Sequence, residues 1–262
     1  MSDNHGRFVW YELLTTDPAA AAAFYSHVVG WTTEAMSVPG IDMPYTMFKR
    51  GDAPVCGLMA QPPEARSAGA PPAWLGYVGV DDVDAAAAHA KDLGGAWLMP
   101  PMDIPTVGRF AVVADPQGAA LGVFRYTCEN PPPAPEMMAT GTVGWHELVT
   151  DGWQKAFDHY AARFGWTKAE AMDMGPMGTY QLFAAGAHPI GGMMNRPPGV
   201  PASFWLYYFV VDDIDAAIAR LGERGGQVVN GPMEVPGGAW IVQALDPQGA
   251  LFALVGQRRA AG

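Results

Sequence analysis

From residue 7 to residue 14 the chain reads RFVWYELL, a short apolar run rich in aromatic and branched residues, which predicts a β-strand. One carboxylate, Glu12, interrupts it. Asp17-Pro18 comes next; Asp is a favoured helix cap and Pro a favoured first helical residue. The helix PAAAAAFYSHVV then stops at Gly30, a natural C-cap. Short apolar stretches predict strands near 32–36, 45–49 and 54–60. The pattern restarts with a strand over 74–80, Asp81-Asp82, and a helix running to Gly94-Gly95. Strands follow near 96–99, 109–114 and 119–125. The last two are joined by Asp115-Pro116-Gln117-Gly118, whose residues suit a type I turn. Each stretch therefore reads β-α-β-β-β.

The second half repeats the first. Trp10-Tyr11-Glu12-Leu13 matches Trp145-His146-Glu147-Leu148, and Tyr25, Gly30-Trp31, Tyr45 and Phe48 match Tyr160, Gly165-Trp166, Tyr180 and Phe183, all at an offset of 135. From Trp74 and Trp205 onward the offset is 131, and VDDVDAA and DPQGA recur as VDDIDAA and DPQGA. The difference falls in QPPEARSAGAPPA, which reads as an irregular loop. Between the halves, CENPPPAPEMMATG holds four prolines in five positions, an extended connector. The expected organisation is an N-terminal domain over 1–127, a linker over 128–141 and a C-terminal domain over 142–262. The expected fold class is α+β: two homologous domains, each of two βαβββ modules, with helices on one face of curved, mixed or antiparallel sheets that enclose a cavity.

Half the residues are hydrophobic and 16% are charged, as in a globular protein with a sizeable core. The net charge of −11 repels polyanions and argues against nucleic acid as a partner. No apolar run is long enough for a membrane span, and the N-terminal residues lack a signal-peptide layout. Cys56 and Cys128 form no CxxC motif or disulfide framework, so a reducing cytoplasm is the expected setting. The histidines are scattered; His27, His89 and His159 fall on predicted helices and are expected to be exposed.

The paired βαβββ modules, the FY…GW after the first helix and the DPQG turn before the last strand resemble the vicinal oxygen chelate superfamily. That group includes glyoxalase I, bleomycin- and fosfomycin-resistance proteins and extradiol dioxygenases. The resemblance spans residues 7–256 and is greatest to two-domain glyoxalase-like or hydroxylase-like proteins. It implies metal ligands at three points per half: the first strand, the strand before the second helix, and the last strand. This sequence departs at all three, with Trp10, Leu75 and Gly122 in one half and Trp145, Leu206 and Ala253 in the other. None of these side chains ligates a divalent ion, so the expectation is no metal and no cofactor.

Strand alternation places Trp10, Glu12 and Leu14 on one face, and Trp145, Glu147 and Val149 on its counterpart. Leu75 and Tyr77, and Leu206 and Tyr208, should share those faces, with His146 directed the other way. Tyr45 and Tyr180, beside Met-rich segments, and Met59 and Met194 complete the expected ligand-binding set. Glu12 and Glu147 are the candidate catalytic or anchoring groups; the alternative is a buried structural carboxylate kept in both copies. The leading expectation is a metal-independent protein that binds a small molecule, a drug or natural product, as a monomer with an internal pseudo-dimer or as a homodimer. The alternatives are a lyase, isomerase, hydroxylase or dioxygenase-type enzyme using Glu and Tyr, and an interaction protein with filled cavities.

Overall fold

A computed structural model describes residues 2–37, 43–128 and 136–259. The first half runs β1 (Phe8–Thr15), α1 (Pro18–Val29), β2 (Thr32–Met36), β3 (Tyr45–Arg50), β4 (Ala53–Ala60), α2 (Pro63–Ser67), β5 (Ala73–Gly79), α3 (Val83–Asp92), β6 (Ala96–Ile104), β7 (Gly108–Ala114) and β8 (Ala120–Tyr126). The second half runs β9 (Val143–Thr150), α4 (Trp153–Phe164), β10 (Thr167–Asp173), β11 (Thr179–Ala184), β12 (Pro189–Asn195), β13 (Phe204–Val211), α5 (Ile214–Glu223), β14 (Gln227–Glu234), β15 (Trp240–Leu245) and β16 (Leu251–Gly256). The expected α+β succession holds in both halves. Short extra turns are added, among them a 3-10 turn at Gly175–Met177. The loop expected to be irregular contains the short helix α2, started by Pro63 and capped by no side chain. The proline run at 131–135 and residues 40–42 of the first Met-rich segment lie outside the described residues.

Each half builds one eight-stranded sheet, ordered β2-β3-β4-β1-β5-β8-β7-β6 and β10-β11-β12-β9-β13-β16-β15-β14. The sheets are mixed. β1 with β4, β5 with β8, β9 with β12 and β13 with β16 are parallel, and the outer pairs are antiparallel. Helix starts follow the local chemistry: Asp17, Asp82 and Asp213 each accept a bond from a backbone N–H of the first turn.

The compact units do not follow the sequence repeat. One unit combines α3 and β6–β8 with α4 and β10–β12; the other combines α1 and β2–β4 with α5 and β14–β16. Each therefore takes one module from each half.

The repeated motifs explain this exchange. In the first unit, Trp205 Nε1 donates to the Tyr160 hydroxyl (3.0 Å), which donates to Asp115 Oδ2 (2.9 Å). The other Asp115 oxygen accepts the backbone N–H groups of Gln117 and Ala119. In the second unit, Trp74 Nε1, Tyr25 and Asp246 make the same relay at 2.9 and 3.2 Å, and Asp246 accepts from Gln248 and Ala250. The tyrosine and tryptophan come from one half, the aspartate from the other. Burial pushes both carboxyls above the usual Asp range, opposed by the N–H groups they accept. Trp166 Nε1 donates to Gly6 O and Trp31 Nε1 to Gly141 O, so the two GW tryptophans repeat a contact as well. Around the relays pack Phe164, Phe183 and Trp166 in one unit, and Phe24, Phe209 and Phe252 in the other.

The histidines bring a correction. His89 is exposed and His27 pairs with Glu223, but His159 is buried. Arg163, one helical turn on, donates from Nη1 to His159 Nε2 (3.2 Å) and is itself buried. Burial, reinforced by the Arg163 charge, holds the His159 imidazole down at about 4. A histidine on a helix reads as exposed only if its stripe faces water, and this stripe packs toward α3.

Substituting Tyr160→Phe should strand the Trp205 N–H and one Asp115 oxygen in the core. The expected cost is about 2 kcal/mol of unfolding free energy, measured by denaturant titration.

Candidate functional site

The face opposite the helices is defined by its neighbours. On β13, Trp205 bonds to Tyr160 and Phe209 packs on Tyr25, Trp31 and Trp74, so these odd positions face the helix-side core. Leu206, Tyr208 and Val210 alternate onto the other face. On β1, Tyr11, Leu13 and Thr15 are buried, while Trp10, Glu12 and Leu14 are only partly so.

The predicted residues come together in small groups. Trp10 packs against the buried cluster Leu75, Tyr77, Val112 and Phe124. Glu12 stands opposite Gly57 of β4, and Met59 stands opposite both Leu14 of β1 and Tyr45 of β3. In the second half Glu147 stands opposite Gly192, and the Tyr180 hydroxyl donates to Glu147 Oε2 at 3.0 Å. Gly192 makes this contact possible: a Cβ there would overlap the Tyr180 ring. Met194 stands opposite Val149, and Trp145 is half-buried on β9. Leu206 and Tyr208 are buried, with Tyr208 opposite Ala253.

His146, between Trp145 and Glu147, is buried and stacks on Phe8 (centroids 3.9 Å apart), which packs on Trp166 and Trp205. His146 Nδ1 lies 2.6 Å from Ile190 O. A carbonyl only accepts, so Nδ1 carries a proton. Burial pushes its pKa down to about 4, against the partial support of that bond.

The three points where relatives would place metal ligands hold other chemistry. The Tyr77 ring lies over Gly122, in the space a side chain there would need. Tyr208 faces Ala253 across the equivalent pair, β13 and β16. Trp10, Leu75, Trp145 and Leu206 offer no ligand atom for a divalent ion. Among the described residues no three His, Cys, Asp or Glu side chains gather as a metal site. The donor set does not fit the metal centre of such proteins. Cys56 and Cys128 are free thiols.

Two features escaped the sequence reading. Gln243 Nε2 donates to the Tyr208 hydroxyl (2.9 Å), and Asn230 Nδ2 donates to Gln243 Oε1 (3.2 Å). The signal was present: Gln243 is a lone amide in the apolar strand WIVQAL, where the first half has Val112. The other is a cavity of about 330 Å³ lined by Asn4, Val9, Gly79, Phe124, Tyr126 and Cys128 among others, which contains none of the predicted site residues.

Two tandem βαβββ pairs with mixed eight-stranded sheets define the class. The chain matches the Glyoxalase/Bleomycin resistance protein/Dioxygenase superfamily over residues 7–123 and 142–254, and it belongs to that family. It is 37% identical over 247 residues to "Putative glyoxylase CFP32" of Mycobacterium tuberculosis, covering 94% of this chain and 93% of that protein. It is 36% identical over 262 residues to the anthracycline biosynthesis protein DnrV of Streptomyces peucetius, covering 95% and 93%. Among solved structures, the Mn(II)-bound glyoxalase from Novosphingobium aromaticivorans aligns with a TM-score of 0.65 at 16% identity, covering 98% of this chain and 83% of that one. The 2,3-dioxygenase LapB from Pseudomonas sp. KL28 aligns with a TM-score of 0.65 at 13% identity, covering 98% and 93%. At these identities the structural likeness is one of fold.

The neutral, buried His146 makes stability depend on pH. Its folded pKa, about 4, lies below the ordinary 6.5, so the unfolded chain takes up the proton first as pH falls. Its contribution is complete above pH 6.5 and is lost toward pH 4, a change of about 3 kcal/mol. The variant His146→Phe, which keeps a ring against Phe8, should show a shallower fall in unfolding free energy between pH 7 and pH 4.5.

Proposed function

We propose that this protein binds a small, largely apolar organic molecule without a metal ion, on the sheet faces opposite its helices. One observation carries the reading: the positions of the family's metal ligands hold Trp, Leu, Gly and Ala, and the Tyr77 ring covers one of them. The faces keep what a small-molecule site uses, apolar and aromatic walls with a few polar groups. Trp10, Tyr45 and Met59 in the first half, and Trp145, Tyr180 and Met194 at the equivalent places in the second, are the candidate wall residues. Glu12 and Glu147 are the carboxylates on these strands, with Glu147 held by Tyr180. The relatives named for anthracycline biosynthesis support a polycyclic aromatic natural product as the ligand class. Fold alone does not transfer the chemistry of the metal-dependent neighbours.

A second reading rests on the buried Tyr180–Glu147 pair. A carboxylate hydrogen-bonded to a phenol beside an apolar face has the parts of an acid–base pair for a lyase, isomerase or hydroxylase reaction.

Two measurements separate these. Binding of 1,4-dihydroxyanthraquinone, followed by tryptophan fluorescence, should be unchanged by EDTA, and elemental analysis of protein purified without added metal should show none. Stoichiometric Zn, Ni, Fe or Mn would overturn the metal-free reading. The substitution Glu147→Gln should lower stability by about 1–2 kcal/mol and leave anthraquinone binding within a few-fold, because Gln still accepts from Tyr180. Unchanged stability with a complete loss of turnover on a candidate substrate would favour the enzymatic reading instead.

A further inference from the structure

The two sheets carry one row of facing residues each that can be compared position by position. In the first half the row runs Tyr77, Gly122, Val112, Met99 across β5, β8, β7 and β6. In the second it runs Tyr208, Ala253, Gln243, Asn230 across β13, β16, β15 and β14. The rows share the tyrosine and the small residue beside it. They differ in everything after that.

The first row is apolar beyond its tyrosine. Tyr77 and Val112 are buried with Leu75 and Phe124, and Trp10, Met99 and Phe110 pack on that cluster. The second row is hydrogen-bonded and reaches water. Gln243 is half-buried and Asn230 is exposed. Where Phe110 and Phe124 face each other in the first half, the smaller Ile241 and Val255 do so in the second.

A duplicated fold provides its own control. The first half folds with Val112 and Met99 at these positions, so the architecture does not require amides there. An amide placed on an apolar strand costs desolvation unless its hydrogen bonds are made, and Gln243 uses one donor and one acceptor position to link the buried Tyr208 phenol to exposed Asn230. Beside it are apolar Ile241 and Val255, and half-buried Trp145 lies on β9, the strand adjoining β13.

From this we infer that the protein has one ligand site per chain, on the second half, and that Gln243 with Tyr208 and Asn230 recognises an oxygen on the ligand. The ligand class is a planar apolar molecule bearing a hydroxyl or carbonyl group. A carboxamide can donate to a carbonyl and accept from a hydroxyl, and the apolar flanks fit the rest of such a molecule. The first half is a structural copy whose equivalent row, with Val112 and Met99, carries no amide. This inference rests on the small-molecule reading above.

The test is isothermal titration of the full chain with 1,4-dihydroxyanthraquinone. Wild-type protein should bind one molecule per chain. Gln243→Val, which installs the first-half residue, should weaken binding about 10-fold or more at a temperature where the variant is still fully folded, as checked by its thermal midpoint. Asn230→Met lies at an exposed position, away from the core, and should also weaken binding, which keeps the inference testable if the Gln243 variant folds poorly. Two equivalent sites per chain, or unaltered affinity in both variants, would overturn the inference and leave small-molecule binding standing. No binding by the wild-type chain would overturn both.

Discussion

Everything in this protein hangs on a buried aspartate that must be satisfied twice over. Asp115 and Asp246 each sit at a DPQG turn, where two backbone N–H groups hold one oxygen and a tyrosine hydroxyl from the other half holds the second. A tryptophan N–H then satisfies the tyrosine. Leaving any member unpaired in such a core is costly, so the relay commits the turn of one half to the helix of the other. Each compact unit is accordingly assembled from both halves. The sequence repeat and the sheets divide the chain one way, and the packing divides it another.

With the relays on the helix side, the opposite sheet faces were free to diverge. The first half covered the row beside Gly122 with an aromatic cluster, while the second kept a smaller surface with an amide row. Duplication makes this contrast interpretable, because any residue that both halves keep at equivalent positions has a claim to be structural. The Trp–Tyr–Asp relay passes that test. Gln243 does not, and its departure from the shared pattern is what marks it.

The glutamates fall between these cases. Glu12 and Glu147 recur, as a structural carboxylate would. Glu147 has the phenol of Tyr180 as a donor, an arrangement that depends on the absence of a side chain at Gly192. A group that a tyrosine holds in place can equally anchor a ligand, so recurrence alone does not decide its role.

Much of this was legible in one dimension. Helix caps at Asp17, Asp82 and Asp213, the turn at DPQG and the two βαβββ pairs per half follow from local stereochemistry, and short-range signals suffice for them. Also visible was that Leu and Gly stand where the resemblance implies ligands, because residue identity needs no coordinates to be read. The burial of His159 was not legible, since it depends on which helix lies across from α4. Nor was the sharing of Tyr25 with Asp246 across 221 residues. The Gln243 row required the register of four strands, which is set by tertiary pairing. Local sequence thus determined the elements and the repeat. Only tertiary structure decided which polar groups meet, because hydrogen-bond partners far apart in the chain are chosen by packing and not by propensity.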